Sequence, residues 1–393
     1  MKAREMRDGV YFVGAVDWGR RLFDALVALP DGTSYDAYLV QGTEGTALLD
    51  TVDPSMSEIL LEQLADFPTI DYVVAHHAEQ DHSGSIPIVL SRYPEAKVVT
   101  SPKGKGMLMD LLRIPDEKFV TVDDRETLSL GNKTLEFIYT PWVHWPETMS
   151  TYLREDRVLF SCDFFGAHLA TSDLYAADDM PVYQAAKRYY AEIMMPFRTF
   201  IQRNLDKLKE YQIDVIAPSH GPAYDKPGFI IDAYREWASD VPKNEVVIPY
   251  VSMHGSTKTM VDYLVSALVS KGISVQQFDL AVTDIGKLAV ALVDAATIVI
   301  GTSTVHVGPH PLVVSAAYVA NSLRCKAKFA SIIGSYGWGS KAVEQITNQI
   351  PNLKVEMLEP VMCKGFPSEN DFKALDAMAG SIAAKHEALH LVR

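Results

Sequence analysis

The sequence predicts an α/β protein of two domains, and three observations carry that expectation. A chain of 393 residues is long enough for two or three cores. Short β-branched strands alternate with helices through its first part, and beyond about residue 245 the rhythm becomes a regular strand, loop and helix repeat. The first part opens with GVYFVGAV, SYDAYLVQG and TALLDTV, each rich in β-branched or aromatic residues and bounded by Gly, Asp or Pro, which predicts an antiparallel start. Residues 56–67 carry Ile59, Leu60 and Leu64 on one helical stripe, and DYVVAH then reads as a short buried strand. AKVVTS, KTLEFIYTP, RVLFSCD and DVIAPSH supply further strands, and one long charged helix is expected over residues 184–212. The polar stretch ASDVPKNE, residues 238–245, breaks the pattern and sets the expected domains, 1–245 and 246–393.

In the second domain EVVIPYVS reads as a strand, SMHGSTK as a loop and TMVDYLVSALVSKG as a helix with Met260, Leu264 and Leu268 at i, i+4 spacing. ISVQQFDL, AATIVIGTS and AKFASIIGS repeat the unit, and right-handed crossovers turn about five such units into a doubly wound parallel sheet.

Composition removes several function classes. The 36 Lys and Arg against 50 Asp and Glu leave a net charge of −14, which repels a phosphate backbone, so no nucleic-acid partner is expected. The N-terminus MKAREMRDGVYFVGAVDWGR lacks the apolar core of a secretory signal, and no run reaches the ~20 apolar residues a bilayer needs. A cytoplasmic protein without a membrane partner is expected. Cys162, Cys325 and Cys363 form no C-x-x-C pair, which points to reduced, packed thiols rather than disulfides or a thiolate metal site.

The most informative stretch is HHAEQDHSGS, residues 76–85, which places His77, Glu79, Asp81 and His82 directly after the apolar YVVA. Imidazoles and carboxylates this close repel or desolvate one another if buried without a cation, and together they suit iron or zinc; the competing reading is a solvated polar loop. His144 in TPWVHWPE, Asp163 in FSCDFFG and His220 in APSHGP also follow apolar segments, and their joint appearance favours a metal site. His168, in DFFGAH, is read as a surface residue rather than one facing that site.

The second domain carries three loops. Ser252, Met253, His254, Gly255, Ser256 and Thr257 lie between a strand and an amphipathic helix, where backbone amides, hydroxyls and the positive helix end suit an anion, although Ser and Thr there are also ordinary N-caps. Thr302, Ser303, Thr304 and Val305, and then Ser335, Tyr336, Gly337, Trp338 and Gly339, follow later strands at the carboxyl edge where doubly wound sheets bind ligands. No G-x-G-x-x-G fingerprint follows the first strand, which argues against a dinucleotide such as FAD or NAD.

These motifs resemble the flavodiiron proteins, or A-type flavoproteins: a metallo-β-lactamase-like αββα sandwich followed by a flavodoxin-like domain. Zinc hydrolases of that superfamily have H-x-H-x-D-H, whereas this chain has H-x-E-x-D-H with Glu79 at the changed position, and a hard anionic oxygen there favours iron. The resemblance implies His77, Glu79 and His144 on one iron, Asp81, His82 and His220 on the other, and Asp163 bridging. It implies an oxidoreductase that takes dioxygen to water or nitric oxide to nitrous oxide with electrons relayed by FMN, and no separate catalytic acid or base is assigned. A head-to-tail homodimer or a dimer of dimers is expected, fed by an external donor such as a rubredoxin or a reduced deazaflavin, since the chain has no rubredoxin-like cysteine pairs. Two departures stand out. Arg21-Leu22-Phe23-Asp24 has Asp24 where many relatives carry a histidine, which bears on the choice between O2 and NO, and His306 stands where an asparagine is frequent. The alternatives are an FMN and diiron sensor without turnover and a zinc-dependent hydrolase with an electron-transfer domain.

Overall fold

The computed structural model describes residues 2–391, and the chain divides into two compact units after Ala238. In the first unit one sheet runs Arg4–Arg7, Val10–Phe12, Tyr38–Gln41, Thr46–Leu49, Tyr72–Val74, Lys97–Thr100, Phe119–Thr121, antiparallel at its start and parallel from Thr46–Leu49 onward. The other runs Thr127–Ser129, Thr134–Tyr139, Met149–Leu153, Val158–Cys162, Val215–Pro218, and only its last pair is parallel. Tyr38 and Val40 enter a core shared with Phe137, Leu153 and Phe160 of the other sheet, while the alternate residues Leu39 and Leu48 pack with Leu60, Leu64, Ile86 and Leu108 of the helices. This alternation makes the sheets inner layers.

Two sequence expectations need correction here. The helix expected over 184–212 is broken: Met180–Tyr189 ends in a π turn, Tyr190–Met194, and a new helix, Arg198–Leu208, begins after Pro196. Proline has no N–H to donate and its ring clashes with the preceding turn. The sequence pattern also passed over Met149–Leu153, all five residues of which are buried, so there is no alternation of exposure to betray the strand.

In the second unit the parallel order is Ser274–Asp279, Lys243–Tyr250, Ala295–Val305, Phe329–Tyr336, with Glu356–Met357 and Val361–Lys364 both against the last of these. The chain therefore starts in the middle of the sheet and works outward in both directions, leaving a crevice at the carboxyl ends where the order reverses. Met260, Leu264 and Leu268 of helix Ser256–Val269 are all fully buried, each burial being worth roughly 1.5–3 kcal/mol. Thr302–Val305 differs from expectation: it is the end of an 11-residue strand that turns through His306 and Val307 and pairs back with Gly308–Pro309.

The last helix, Glu369–Ala388, is tied to this sheet by His386, which is fully buried between the Thr297 hydroxyl, 2.7 Å from Nε2, and Asn244 Oδ1, 2.7 Å from Nδ1. Burial pushes this imidazole from 6.5 down to about 4. The unfolded chain therefore binds the proton more readily, so the contribution is in place above pH 6.5 and is lost as pH falls toward 4. The expected loss between pH 7 and pH 5 is about 2 kcal/mol. Denaturant unfolding of the wild type and of His386→Asn across this range should show a shallower pH dependence in the variant.

Candidate metal centre and loop cluster

The seven sequence-predicted donors of the first unit meet at the carboxyl ends of strands from both sheets. His77 and Glu79 follow Tyr72–Val74, and Asp81 and His82 sit in the short helix Gln80–Ser83 that Glu79 opens. His144 lies between Thr134–Tyr139 and Met149–Leu153, Asp163 after Val158–Cys162 and His220 after Val215–Pro218. At Cys162 the register against Val215–Pro218 shifts and φ becomes +52°, so the strand end kinks as Asp163 leaves it.

The donors form two groups, and Asp163 of the first also reaches the second. His77, Glu79, His144 and Asp163 make the first, and Asp81, His82 and His220 the second. Glu79 Oε2 lies 3.1 Å from His77 Nε2 and 3.0 Å from His144 Nε2, and both nitrogens are 3.5 Å from Asp163 Oδ2. Asp163 Oδ1 turns the other way, 2.9 Å from His82 Nε2 and 3.4 Å from His220 Nε2, and Asp81 Oδ2 is 3.2 Å from His220 Nε2. Donor spacings of roughly 3–3.5 Å are the edges of a coordination shell whose bonds are about 2.0–2.2 Å long. Asp81 Oδ1 and Oδ2, Asp163 Oδ2 and His82 Nε2 are buried without a hydrogen-bond partner, as suits atoms whose natural partner is a cation. The donor set therefore fits a metal pair, one oxygen of Asp163 for each ion.

Charge is arranged to match. Burial pushes Glu79 up, but hydrogen bonds from His144 and His77 overrule it and hold the carboxyl below its ordinary range. Asp163 is likewise pushed up by burial and driven well below its range by His82 and His220. Burial lowers His77 and His220, yet carboxylate partners raise both well above the ordinary value. Carboxylates held ionised beside imidazoles are a donor set that suits a cation.

Surrounding groups fix the ring orientations. His77 Nδ1 donates to Glu147 Oε1 at 2.7 Å, and the same oxygen accepts from the Ala78 N–H at 3.0 Å. His220 Nδ1 donates to the Ser34 carbonyl at 2.7 Å, and the Tyr189 hydroxyl donates to Asp163 Oδ1 at 2.9 Å. Asp50 accepts from the His76 N–H and Nδ1–H, tying the ligand loop to the neighbouring strand. The sequence reading missed Glu147, Tyr189 and Asp50; Glu147, three residues after His144, is the one whose position was suggestive. His168 is corrected: it is buried, its Nδ1 2.9 Å from Thr33 Oγ1 and its ring 5.1 Å from that of His220, because Phe23 and Tyr189 close over it. Asp24 stands beside Glu79, its carboxyl raised by burial, then by the charges of Glu79 and Asp81.

In the second unit the three predicted loops are stitched together by hydroxyls. Thr257 Oγ1 lies 3.3 Å from Ser303 Oγ and 3.0 Å from Ser335 Oγ, the Met253 N–H donates to Ser303 Oγ at 3.2 Å, and Thr304 Oγ1 donates to Ser340 Oγ at 3.0 Å. Thr257 is fully buried, Ser252 and Ser256 are half-buried, and Met253, His254 and Gly255 are exposed. Gly255 caps helix Ser256–Val269 at φ +91°, a conformation natural to glycine, and offers no side chain to the first-turn amides. Tyr336 is half-buried, Trp338 is 86% exposed, and a Cβ at Gly337 or Gly339 would meet nothing within 4 Å. Hydroxyls, helix-end amides and an uncovered indole fit a phosphate-bearing planar group. His306 sits exposed in the turn at φ +47°.

Comparison with known proteins follows the same outline. Residues 34–221 match the family model described as ODP family beta lactamase. The chain is 34% identical over 389 residues to the nitric oxide reductase of Moorella thermoacetica, covering 96% of this chain and 97% of that protein. It superposes on the rubredoxin oxygen:oxidoreductase of Desulfovibrio gigas with a TM-score of 0.95 at 30% identity, covering 99% of each chain. With the flavodiiron protein of Giardia intestinalis the TM-score is 0.93 at 29% identity, over 99% of this chain and 98% of that one.

Glu147→Ala removes the acceptor that fixes the His77 ring. Metal affinity should fall by roughly 10- to 100-fold, read by competition with a chelator, with flavin content unchanged.

Proposed function

This chain belongs to the flavodiiron family, also called type A flavoproteins, and is an oxidoreductase of its oxygen- and nitric-oxide-reducing kind; we propose that it works through two irons held by the seven donors above and an FMN held by the three loops. The single observation that carries the assignment of residues is the division of Asp163, Oδ2 toward His77 and His144 and Oδ1 toward His82 and His220. His77, Glu79 and His144 hold one iron, Asp81, His82 and His220 the other, and Asp163 bridges them.

An iron pair held by these donors would supply Lewis acidity toward the diatomic and, together with an FMN, the four electrons needed to take dioxygen to water or the two needed to couple nitric oxide to nitrous oxide. The chain's own part is orientation and exclusion of water. Glu147 and the Ser34 carbonyl hold His77 and His220 with Nδ1 protonated and Nε2 turned to the metal. Tyr189 holds the bridging carboxylate, and the burial of His77, Asp81, His82, Asp163 and His220 keeps the site dry. Glu79 in place of a neutral imidazole supports iron over zinc. In the second unit Ser252 through Thr257 take the phosphate, and Thr302–Val305 and Ser335–Gly339 flank the ring.

An external electron donor completes the reaction, a rubredoxin or a reduced deazaflavin being the proposed classes. A head-to-tail homodimer, alone or paired into a dimer of dimers, lets the flavin of one subunit serve the irons of its partner. The protein is proposed to be cytoplasmic; no helix among the described residues is long and apolar enough to cross a membrane.

Asp163→Ala should lose most of its iron, measured by metal analysis, while retaining FMN and losing O2 and NO consumption. Two irons retained in that variant would overturn the bridging assignment. A heterodimer of a subunit with acidic replacements at Ser256 and Thr257 and a subunit carrying His82→Ala and His220→Ala should recover up to half of the wild-type gas consumption, since one flavin then faces one intact iron pair. Purified heterodimers that hold both cofactors and stay inactive would exclude transfer between subunits.

A further inference from the structure

The chemistry above leaves unused a file of oxidisable rings that begins at the metal centre. Tyr189 donates to Asp163 Oδ1, and the next residue, Tyr190, has its ring 5.3 Å from Tyr234 and 5.5 Å from Trp237. Tyr234 lies 5.3 Å from Trp237, and Trp237 lies 5.2 Å from Tyr183, to whose hydroxyl its Nε1–H donates at 3.0 Å. Tyr189, Tyr190, Tyr234 and Trp237 are buried, whereas Tyr183 is half-buried, so the file runs from Asp163 toward solvent.

Leucine or phenylalanine would fill this volume as well, and tyrosine and tryptophan differ from them in losing an electron far more readily. Electron tunnelling falls exponentially with distance, so the peptide bond that joins Tyr189 to Tyr190 and the ring contacts of 5.2–5.5 Å beyond Tyr190 carry charge outward in short, fast steps. Trp237 suits the relay because an indole holds positive charge without losing its proton, and its ring lies 5.5 Å from Tyr190 and 5.2 Å from Tyr183.

We propose that Tyr189, Tyr190, Trp237 and Tyr183 form a hole-export path, which protects the metal ligands when dioxygen has taken fewer electrons than its complete reduction needs. The proposal rests on the dioxygen-reducing function above. Tyr189 gives one electron to the oxidising site while its phenolic proton is held by Asp163. Trp237 refills Tyr189 in one tunnelling step across Tyr190, which is not itself oxidised, and the proton returns. Tyr183 then refills Trp237 and releases its own proton to solvent. The net change is one electron gained at the metal site, one tyrosyl radical formed at Tyr183 and one proton released; a soluble thiol or similar one-electron reductant restores Tyr183.

The test uses the full-length protein loaded with iron and FMN, reduced only as far as the irons, mixed with dioxygen and freeze-quenched. Electron paramagnetic resonance should show an organic radical near the free-electron g value, and peptide mass spectrometry after many turnovers should find oxidation at Tyr183 and Trp237. In Trp237→Phe the radical should stay at Tyr189 and oxidation should move to Tyr189 and the ligand histidines. Turnovers completed before inactivation should fall several-fold with O2, at unchanged initial kcat and KM, and remain unchanged with NO. Tyr183→Phe serves where Trp237→Phe does not fold; there the signal should become indole-type and oxidation at Trp237 should rise. A wild type that consumes O2 without any organic radical, or radical signals and oxidation maps identical in wild type and variants, would overturn the proposal alone. A wild type that does not react with O2 would overturn the assigned function together with it.

Discussion

The structure of the first unit is organised around the Asp163 carboxylate, buried to 1% exposure and divided between two sets of imidazoles. Such a group costs several kcal/mol to desolvate unless it is surrounded by positive charge and donors. His77, His82, His144 and His220 converge on it from three separate segments, so the positions of strands in both sheets are tied to one short side chain. The kink at Cys162 and the positive φ at Asp50, another residue beside the ligand loop, belong to the same constraint. Backbone strain persists where the surroundings over-determine it, and here they are the strand ends of a sandwich.

Around that carboxylate the polar groups are arranged as a second layer with little freedom. Glu147 holds a ring and the Ala78 amide at once, Ser34 receives His220 through its carbonyl and the Gly221 amide through its hydroxyl, and Tyr189 reaches Asp163 from the helix that ends at the π turn. Fixed tautomers of this kind raise ligand basicity and reduce the rearrangement that metal binding requires. The second unit solves a different problem by softer means. Its loops meet through the neutral hydroxyls of Thr257, Ser303 and Ser335 beside the first turn of helix Ser256–Val269.

Much of this was legible in the sequence because it is local. The H-x-E-x-D-H run from His77 to His82, the apolar segments before His144, Asp163 and His220, and the i, i+4 stripe of Met260, Leu264 and Leu268 each lie within a few residues, where backbone periodicity dictates which side chains share a face. These residues also carry the resemblance that named the iron and the flavin. What the sequence could not contain are contacts made across distance: Glu147 to His77, Ser34 to His220, Tyr189 to Asp163, and the burial of His168 beneath Phe23 and Tyr189. Periodicity assigns a face within one element and is silent on which element covers it, so only the packing of the two sheets and their helices decided these partners, the break at Pro196 that sets Tyr189 apart from the next helix, and the division of the Asp163 oxygens.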